Sequence, residues 1–308
     1  MSNHVVKNGK KQSKQQYFCK ACHRQFVGKS RLDNADLWQE YTEGKQTYQQ
    51  LAIKHNLSIK TIQRRLDAYR QSQRQSHLSK ASTRTKQPAH LLIDTTYFGR
   101  SFGVMVFMDN TTNTVLYYRI IEHENYQLYY QGIAIIKQQG FIIKSITCDG
   151  KRGLLGGFGT IPTQMCQFHQ IRIITRYLTT RPKHLASIEL KQITATMPRI
   201  NRQAFSQALD AWHTRHHDYY NERSIDENGK SHYTHRRLQA AYKSLIRNLP
   251  HLFIYQNDST GNTANTTGKL EGLFSNLKTS LRCHQGLSLK RKLHFIDDFM
   301  KKHGYQNR

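Results

Sequence analysis

Three carboxylates combine residue type and position in a way that suits metal-dependent chemistry. Asp94 follows the apolar run Leu91–Ile93, Asp149 ends the predicted strand Phe141–Cys148, and Glu271 lies in a glycine-flanked segment. A carboxylate buried at the end of an apolar strand is costly unless it is paired or binds a metal. Three carboxylates brought together repel each other, and a divalent cation relieves that repulsion. We therefore expect Asp94, Asp149 and Glu271 to hold Mg²⁺ or Mn²⁺.

Each carboxylate also has a purely structural interpretation. Asp94 could cap a turn, Asp149 precedes Gly150 in a dipeptide common where a strand enters a turn, and Glu271 could pair with a lysine on its own helix. Taken one at a time, the residues leave these alternatives open.

The charge balance indicates a polyanionic partner. The chain has 308 residues, with 47 Lys and Arg against 20 Asp and Glu, a formal net charge of +27. Basic side chains that contact phosphates release counterions, so DNA is the expected partner. With 37% hydrophobic residues a folded protein is predicted. No apolar run has bilayer-spanning length and no signal peptide is recognisable, so we expect a cytoplasmic protein at the nucleoid, without membrane attachment.

The N-terminal residues 1–28 are predicted to form a truncated zinc-ribbon-like segment. Cys19 and Cys22 have the spacing of one knuckle, which supplies half of a tetrahedral zinc site. The second pair is missing, so Cys19 and Cys22 are candidate zinc ligands, and a remnant that binds no zinc is the alternative.

Residues 29–70 are predicted to form a helix-turn-helix. Thr47 and Ser58 can cap its last two helices, and the second of these carries a basic, amide-rich face. We expect that face to contact DNA through Lys60, Thr61, Gln63, Arg64 and Arg65. An ordinary basic helical hairpin is the alternative. Residues 71–89 are predicted to be a basic linker.

The remaining chain is predicted to be α/β. A three-stranded meander starting near His90 is followed by a helix, a strand ending at Asp149 and a strand over 162–168. If these strands share one sheet, Asp94 on the central strand lies beside Asp149. We divide this part into a mixed-sheet core, first part, over 90–178, a helical insertion over 179–262, and C-terminal helices of the core over 263–308.

These motifs together resemble a known family. Asp94, Asp149, Met165-Cys-Gln-Phe-His169 and the segment Asn265–Lys278 around Glu271 are similar to the DDE transposases of bacterial Mutator-like insertion sequences. The resemblance implies an RNase H-like core with a Cys-x-x-His element, interrupted by an all-helical insertion. It also implies binding to terminal inverted repeats, Mg²⁺-dependent strand cleavage, strand transfer to target DNA and a homo-oligomer on DNA. His169 is then expected near the metal centre, and Lys278 and Arg282 are expected to contact phosphates.

Other functions are kept beside this one. A tyrosine recombinase needs an Arg-His-Arg constellation around one tyrosine, which no segment concentrates, and no nucleophilic-serine motif is present. A catalytically inactive DNA-binding regulator and a simple metal-dependent nuclease both stay open.

Overall fold

The computed structural model describes residues 4–11, 14–27, 32–76, 87–151 and 153–304. The chain forms two compact units, residues 1–80 and residues 81–308. None of the described helices is long and apolar enough to cross a membrane.

The first unit begins with a small antiparallel sheet. Its strands are β1 (Val5–Lys11), β2 (Lys14–Cys19) and β3 (Gln25–Val27), in that order. The Cys19–Cys22 knuckle forms the tight turn between β2 and β3, closed by a hydrogen bond from His23 N to Cys19 O of 2.8 Å. The predicted knuckle is therefore a real turn, while zinc binding by it stays a prediction.

Three helices follow, as predicted. They are α1 (Asn34–Thr42), α2 (Tyr48–His55) and α3 (Ile59–Ser76). Thr47 forms a capping box with Gln50, and Asn56 ends α2 in the left-handed conformation, which makes a tight turn into α3. Buried Leu37, Leu51 and Ile62 form part of the core of this bundle.

The predicted linker over 71–89 is shorter than expected. Residues 71–76 continue α3, because Gln and Arg are good helix formers, and residues 87–89 already belong to the first strand of the second unit. The rest of that linker, residues 77–86, lies outside the described residues.

The second unit is built on a five-stranded mixed sheet. Its strands are β4 (Gln87–Phe98), β5 (Phe102–Asp109), β6 (Thr114–Ile121), β7 (Phe141–Cys148) and β8 (Thr163–Met165), arranged in the order β6-β5-β4-β7-β8. The first three form an antiparallel meander, whereas β4, β7 and β8 are parallel. The prediction that the first strand is central and neighbours the fourth is confirmed.

Helix α4 (Tyr126–Gln138) connects β6 to β7 and packs against one face of the sheet. Its side chains Tyr129, Ile133 and Ile136 are buried among sheet residues such as Phe107 and Ile146. Because they recur at three- and four-residue spacing, one stripe of the helix covers the sheet.

A second layer is mainly helical. It contains α5 (Gln167–Leu178), α6 (Leu185–Thr196), a short 3₁₀ turn (Met197–Arg199), α7 (Arg202–Arg215), α8 (His217–Asn221) and α9 (Arg236–Leu252). Its core includes Trp212, whose indole N–H donates to the Ala186 carbonyl at 2.9 Å. Helices α10 (Gly268–Cys283) and α11 (Leu289–Lys302) complete the described chain.

The insertion is not all-helical as expected. A two-stranded hairpin, β9 (Arg223–Ile225) and β10 (Ser231–Tyr233), precedes α9. Its turn is fixed by the Asp226 carboxylate, which accepts hydrogen bonds from Asn228 N and Lys230 N, and by Gly229 at a φ of 73°. These local turn interactions favour a hairpin over a continuous helix.

Candidate active site

The backbone register places Asp94 and Asp149 beside each other. In the parallel pairing of β4 with β7, Leu92 lies opposite Thr147. Continuing this alignment by two residues brings Asp94 level with Asp149, and neighbouring strands lie about 4.8 Å apart. The two carboxylates also influence each other's ionisation. The predicted pair therefore follows from strand order and register together.

Asp94 does not end its strand, contrary to the prediction. It pairs with Val106 of β5, and β4 continues to Phe98, which pairs with Phe102. The strand is longer because Thr95–Phe98 contains β-branched and aromatic residues that extend the hairpin with β5. On its other side β7 stops at Cys148, which leaves this edge of β4 without a strand neighbour.

Asp149 lies in a turn with little room. Its Oδ1 accepts a hydrogen bond from Lys151 N at 3.2 Å. A Cβ on the next residue, Gly150, would lie 2.2 Å from Cε of buried Met165. Only glycine fits against β8 without displacing Met165, so the packing of β8 fixes the turn that carries Asp149.

Cys166 and His169 lie at the start of α5. Cys166 N donates to Cys148 O at 2.7 Å, which joins the N-cap of α5 to the end of β7. His169 is in the first turn. The predicted strand over 162–168 is wrong beyond Met165, because the buried residues that follow, Gln170 and Ile174, recur with helical spacing.

Glu124 is a site residue that the sequence reading missed. Its carboxylate forms an ion pair with Lys151 and accepts a hydrogen bond from the Tyr129 hydroxyl, which also contacts Thr95 Oγ1 at 2.9 Å. Its charge raises the pKa of both Asp94 and Asp149. The sequence signal for it was an acid just after the third strand of the meander, at the sheet edge where Asp149 lies.

Glu271 is connected to the site through the backbone of α10. The N-cap residue Thr267 donates from N and Oγ1 to Cys166 Sγ at 3.3 and 3.4 Å, and its carbonyl accepts from Glu271 N at 3.1 Å. Glu271 is half-buried, and its carboxylate has no hydrogen-bond or ion-pair partner among the described residues. The alternative of a pair with Lys269 is not formed, since that ammonium donates to Asn110 O at 2.7 Å.

The carboxylates are held in an unfavourable ionised state. Burial raises the pKa of Asp94 to about 6, with the charges of Asp149 and Glu124 acting in the same direction. Burial also raises the pKa of Asp149, and Glu124 adds to it. The opposing influence common to both is His169. Two buried acids with raised pKa values therefore share one nearby cation.

Cys166 and His169 polarise each other. A hydrogen bond to the Cys166 side chain raises the pKa of His169 to about 9, and the charges of Asp94 and Asp149 add to this against the effect of burial. Burial acts to raise the pKa of the Cys166 thiol, but hydrogen bonds from His169 and Thr267 outweigh it and lower that pKa. At neutral pH His169 is thus an imidazolium beside two carboxylates.

The donor set fits a hard divalent cation held by two carboxylates. Mg²⁺ commonly takes one or two carboxylates and fills its other positions with water and phosphate oxygens. Asp94 and Asp149 are adjacent oxygen donors whose repulsion a cation would relieve, and the buried Nδ1 of His169 has no hydrogen-bond partner in the described chain. Across the described ranges, no three His, Cys, Asp or Glu side chains are arranged to hold a metal together. Glu271 is therefore not assembled with the pair as predicted.

Lys278 and Arg282 line a groove of about 680 Å³ at the end of β4. Tyr97 and Phe98 form its aromatic side, and Lys278 Nζ lies 5.9 Å from the centroid of the Phe98 ring. Cations beside exposed aromatic faces suit phosphates and bases of a nucleic acid. The groove begins three residues after Asp94, so it adjoins the carboxylate pair.

The predicted DNA-facing residues of α3 differ in how far they are exposed. Lys60 and Arg64 are exposed, and Gln63 is partly exposed. Thr61 is hydrogen-bonded to Ser58 at the start of the helix. Arg65 donates to Leu32 O at 3.0 Å, so it has a structural role within the first unit. Lys60, Gln63 and Arg64 remain the side chains best placed for an external partner.

The two cysteines of the knuckle differ as well. Cys19 is buried and Cys22 is exposed, and neither forms a disulfide. A structural zinc site needs four ligands. Within the described ranges no third ligand joins them, so no zinc site is assembled there.

Comparisons with known proteins do not identify a family. No protein-family model matches the sequence, and no curated protein is significantly similar to it.

Proposed function

We propose that the protein is a DNA transposase resembling those of bacterial Mutator-like insertion sequences, acting with Mg²⁺ or Mn²⁺. The observation that carries the proposal is the buried pair Asp94 and Asp149, aligned by the register of β4 and β7 and faced by the His169 imidazolium. In a chain of net charge +27, such a pair suits chemistry on phosphodiesters.

The topology supports the proposal. The sheet order β6-β5-β4-β7-β8, with an antiparallel meander followed by parallel strands, agrees with the RNase H-like core that the resemblance implies. The Cys-x-x-His element also falls at the junction of β8 and α5, next to the carboxylates.

The side chains would divide the work as follows. Asp94 and Asp149 would bind the metal, and Glu271 would reach the site from the first turn of α10. A bound metal supplies activation of the attacking oxygen and stabilisation of the leaving oxygen. His169, protonated at neutral pH, would donate a hydrogen bond to a phosphate oxygen. Lys278 and Arg282 would hold the flanking phosphates in the adjoining groove.

The first unit would recognise the terminal inverted repeats through the exposed side chains of α3. Transposition requires two ends to be held together, so we propose a homo-oligomer assembled on DNA. The same exposed basic helix would bind DNA in an inactive regulator, and the same carboxylate pair would cut DNA in a nuclease.

The test is strand cleavage and joining on DNA that carries the element's ends, with Mg²⁺ or Mn²⁺. The wild type should produce a 3′-hydroxyl end and a joined product, and Asp94→Asn or Asp149→Asn should produce neither. Cleavage without joining would favour the nuclease. A salt-sensitive footprint on the ends with no cleavage by the wild type would favour the regulator.

A further inference from the structure

A second basic groove lies in the helical layer, away from the carboxylates. Its volume is about 630 Å³, and it lies between the end of α5, the start of α6, the strand β10 and the start of α9. Four of its lining residues are exposed cations, namely Arg181, Lys183, Arg236 and Arg237. None of the four forms an ion pair with a residue that the structure describes, and no Asp or Glu is among the lining residues. The groove therefore carries uncompensated positive charge.

The positions of Arg236 and Arg237 are unfavourable for the protein itself. They are the first two residues of α9, where the helix macrodipole is positive. Cations there typically cost a few tenths of a kcal/mol, whereas acids would stabilise the helix. Helix stability therefore gives no reason for two arginines at this end, but an anionic ligand does.

The two helices that begin at the groove lack side-chain caps. The N-cap residues are His184 for α6 and His235 for α9, and neither forms a side-chain capping hydrogen bond. Their ring centroids lie 6.2 Å apart, so the two helix starts converge. The nearest acid, Glu222, is occupied by His235 at 2.7 Å. Backbone N–H groups at both starts thus add to the attraction for an anion.

A lining residue also has an unsatisfied polar atom. Nδ1 of His232 is buried and has no hydrogen-bond partner in the described chain. By contrast, the carbonyls of Thr179 and Thr180 at the end of α5 accept hydrogen bonds from Lys191. The negative end of α5 is therefore neutralised, which keeps the groove positive.

Helix α5 relates this groove to the carboxylate site. His169 lies in its first turn and Leu178, its last residue, lines the groove. Nine residues of α-helix span roughly 14 Å, which corresponds to about four base pairs of B-DNA. A duplex held at the carboxylates is thus long enough to reach the groove.

We propose that this groove binds the phosphate backbone of DNA a few base pairs from the cleaved position. The choice of DNA rests on the proposed function, since the groove itself selects for phosphate. Backbone contacts of this kind would fix the register of the DNA on the enzyme without reading its sequence.

The experiment measures binding of the full chain to a labelled random-sequence duplex as a function of salt. One variant pair is Arg236→Gln with Arg237→Gln, and another is Arg181→Gln with Lys183→Gln. The matched control is Lys137→Gln with Lys144→Gln, which removes the same charge from two exposed lysines on α4 and β7. The slope of log affinity against log salt should become shallower by about 0.9 for each phosphate that a variant no longer neutralises. We expect this in both groove pairs and not in the control.

Three further readouts keep the outcomes distinct. The melting temperature of the Arg236 and Arg237 pair should stay the same or rise, so a loss of binding would not reflect unfolding. If groove and control pairs have equal slopes, the proposal is wrong. If the groove pairs lose binding of ATP, used as a small phosphate ligand, but keep the DNA slope, the groove is a nucleotide site instead. An Asp149→Asn background separates the two proposals, because binding is measured there without cleavage.

Discussion

The Asp94–Asp149 pair and Glu271 are acids of one proposed site, yet they are positioned by different means. Backbone pairing of β4 with β7 fixes the pair, and burial raises the pKa of both residues. Glu271 depends on Thr267 and Cys166, which join the start of α10 to the start of α5. Its carboxylate is half-buried and has no partner in the described chain.

The difference separates a preformed element from one that can adjust. Sheet register changes by whole residues, so a pair set by it is held rigidly. A helix joined through a sulfur acceptor and one hydroxyl can shift by smaller amounts. We infer that the pair forms the primary metal site and that Glu271 approaches when metal and DNA are bound.

The largest effect is expected from the pair itself. Asp94→Asn or Asp149→Asn should lower the rate of strand cleavage by about 10³-fold or more, since metal-based stabilisation of several kcal/mol is lost. Single-turnover cleavage on end-containing DNA measures this. Asp218→Asn, which removes a fully exposed acid on α8, is the matched control and should cut at the wild-type rate. A D94N or D149N enzyme that cuts normally would remove the pair from the mechanism.

Breaking the connection to Glu271 should have a smaller effect. Cys166→Ala removes the acceptor of two Thr267 hydrogen bonds, which should cost about 1–3 kcal/mol of unfolding free energy. Displacement of Glu271 by about 1 Å should slow cleavage by up to 10²-fold. Cys166→Ser should recover part of both losses. Urea unfolding and cleavage rates measure them, with Cys283→Ala as a control for the loss of a free thiol.

The same effect in C166S and C166A, or none in either, would contradict the positioning role of Cys166.

The pH dependence of stability should differ between the acids and His169. Because the pKa of Asp94 is raised to about 6, its stabilising contribution is full below the unfolded value near 3.8 and is lost as the pH rises through 6. The loss amounts to roughly 3 kcal/mol at 1.36 kcal/mol per pKa unit. His169, with its pKa raised to about 9, contributes fully below its unfolded value of 6.5 and loses that contribution as the pH rises through 9.

Urea unfolding without divalent metal, from acidic to alkaline pH, measures both windows. Asp94→Asn should flatten the lower window and leave the upper one in place. A lower window that is unchanged in D94N would assign it to another group.

The smallest expected effect concerns Glu124. Glu124→Gln removes a like charge that acts on both members of the pair, so the pKa of Asp94 and of Asp149 should fall, by less than about one unit each at an effective dielectric typical of proteins. Carboxyl NMR titration measures the change. Glu271→Gln is the matched control and should leave both values in place, since Glu271 is not among the groups that shift them.

Part of the site could be predicted from the sequence because it depends on local signals. Apolar strands and turn residues indicated the meander and the strand before Asp149, and the helix caps Thr47 and Ser58 indicated the first unit. Their combination correctly placed Asp94 beside Asp149 on adjacent strands. Strand type and order are short-range information.

The rest depends on tertiary contacts. Glu124 follows β6 in a loop, and only its contacts with Lys151 and Tyr129 bring it to the site. The length of β4 beyond Asp94 is set by pairing with β5. Glu271 is separated from the pair by the whole insertion, so its placement depends on packing that periodicity does not encode.

Calorimetric titration of the full chain with Mn²⁺ measures whether the two aspartates form the metal site, at a pH well above the Asp94 pKa of about 6. Loss of an outer partner of a metal ligand typically costs 10–100-fold in affinity, so loss of a ligand should cost at least about 100-fold. We predict that loss for Asp94→Asn and for Asp149→Asn, and a much smaller one for Glu271→Gln. Wild-type affinity in both aspartate variants would contradict the assignment of the pair as the primary metal site.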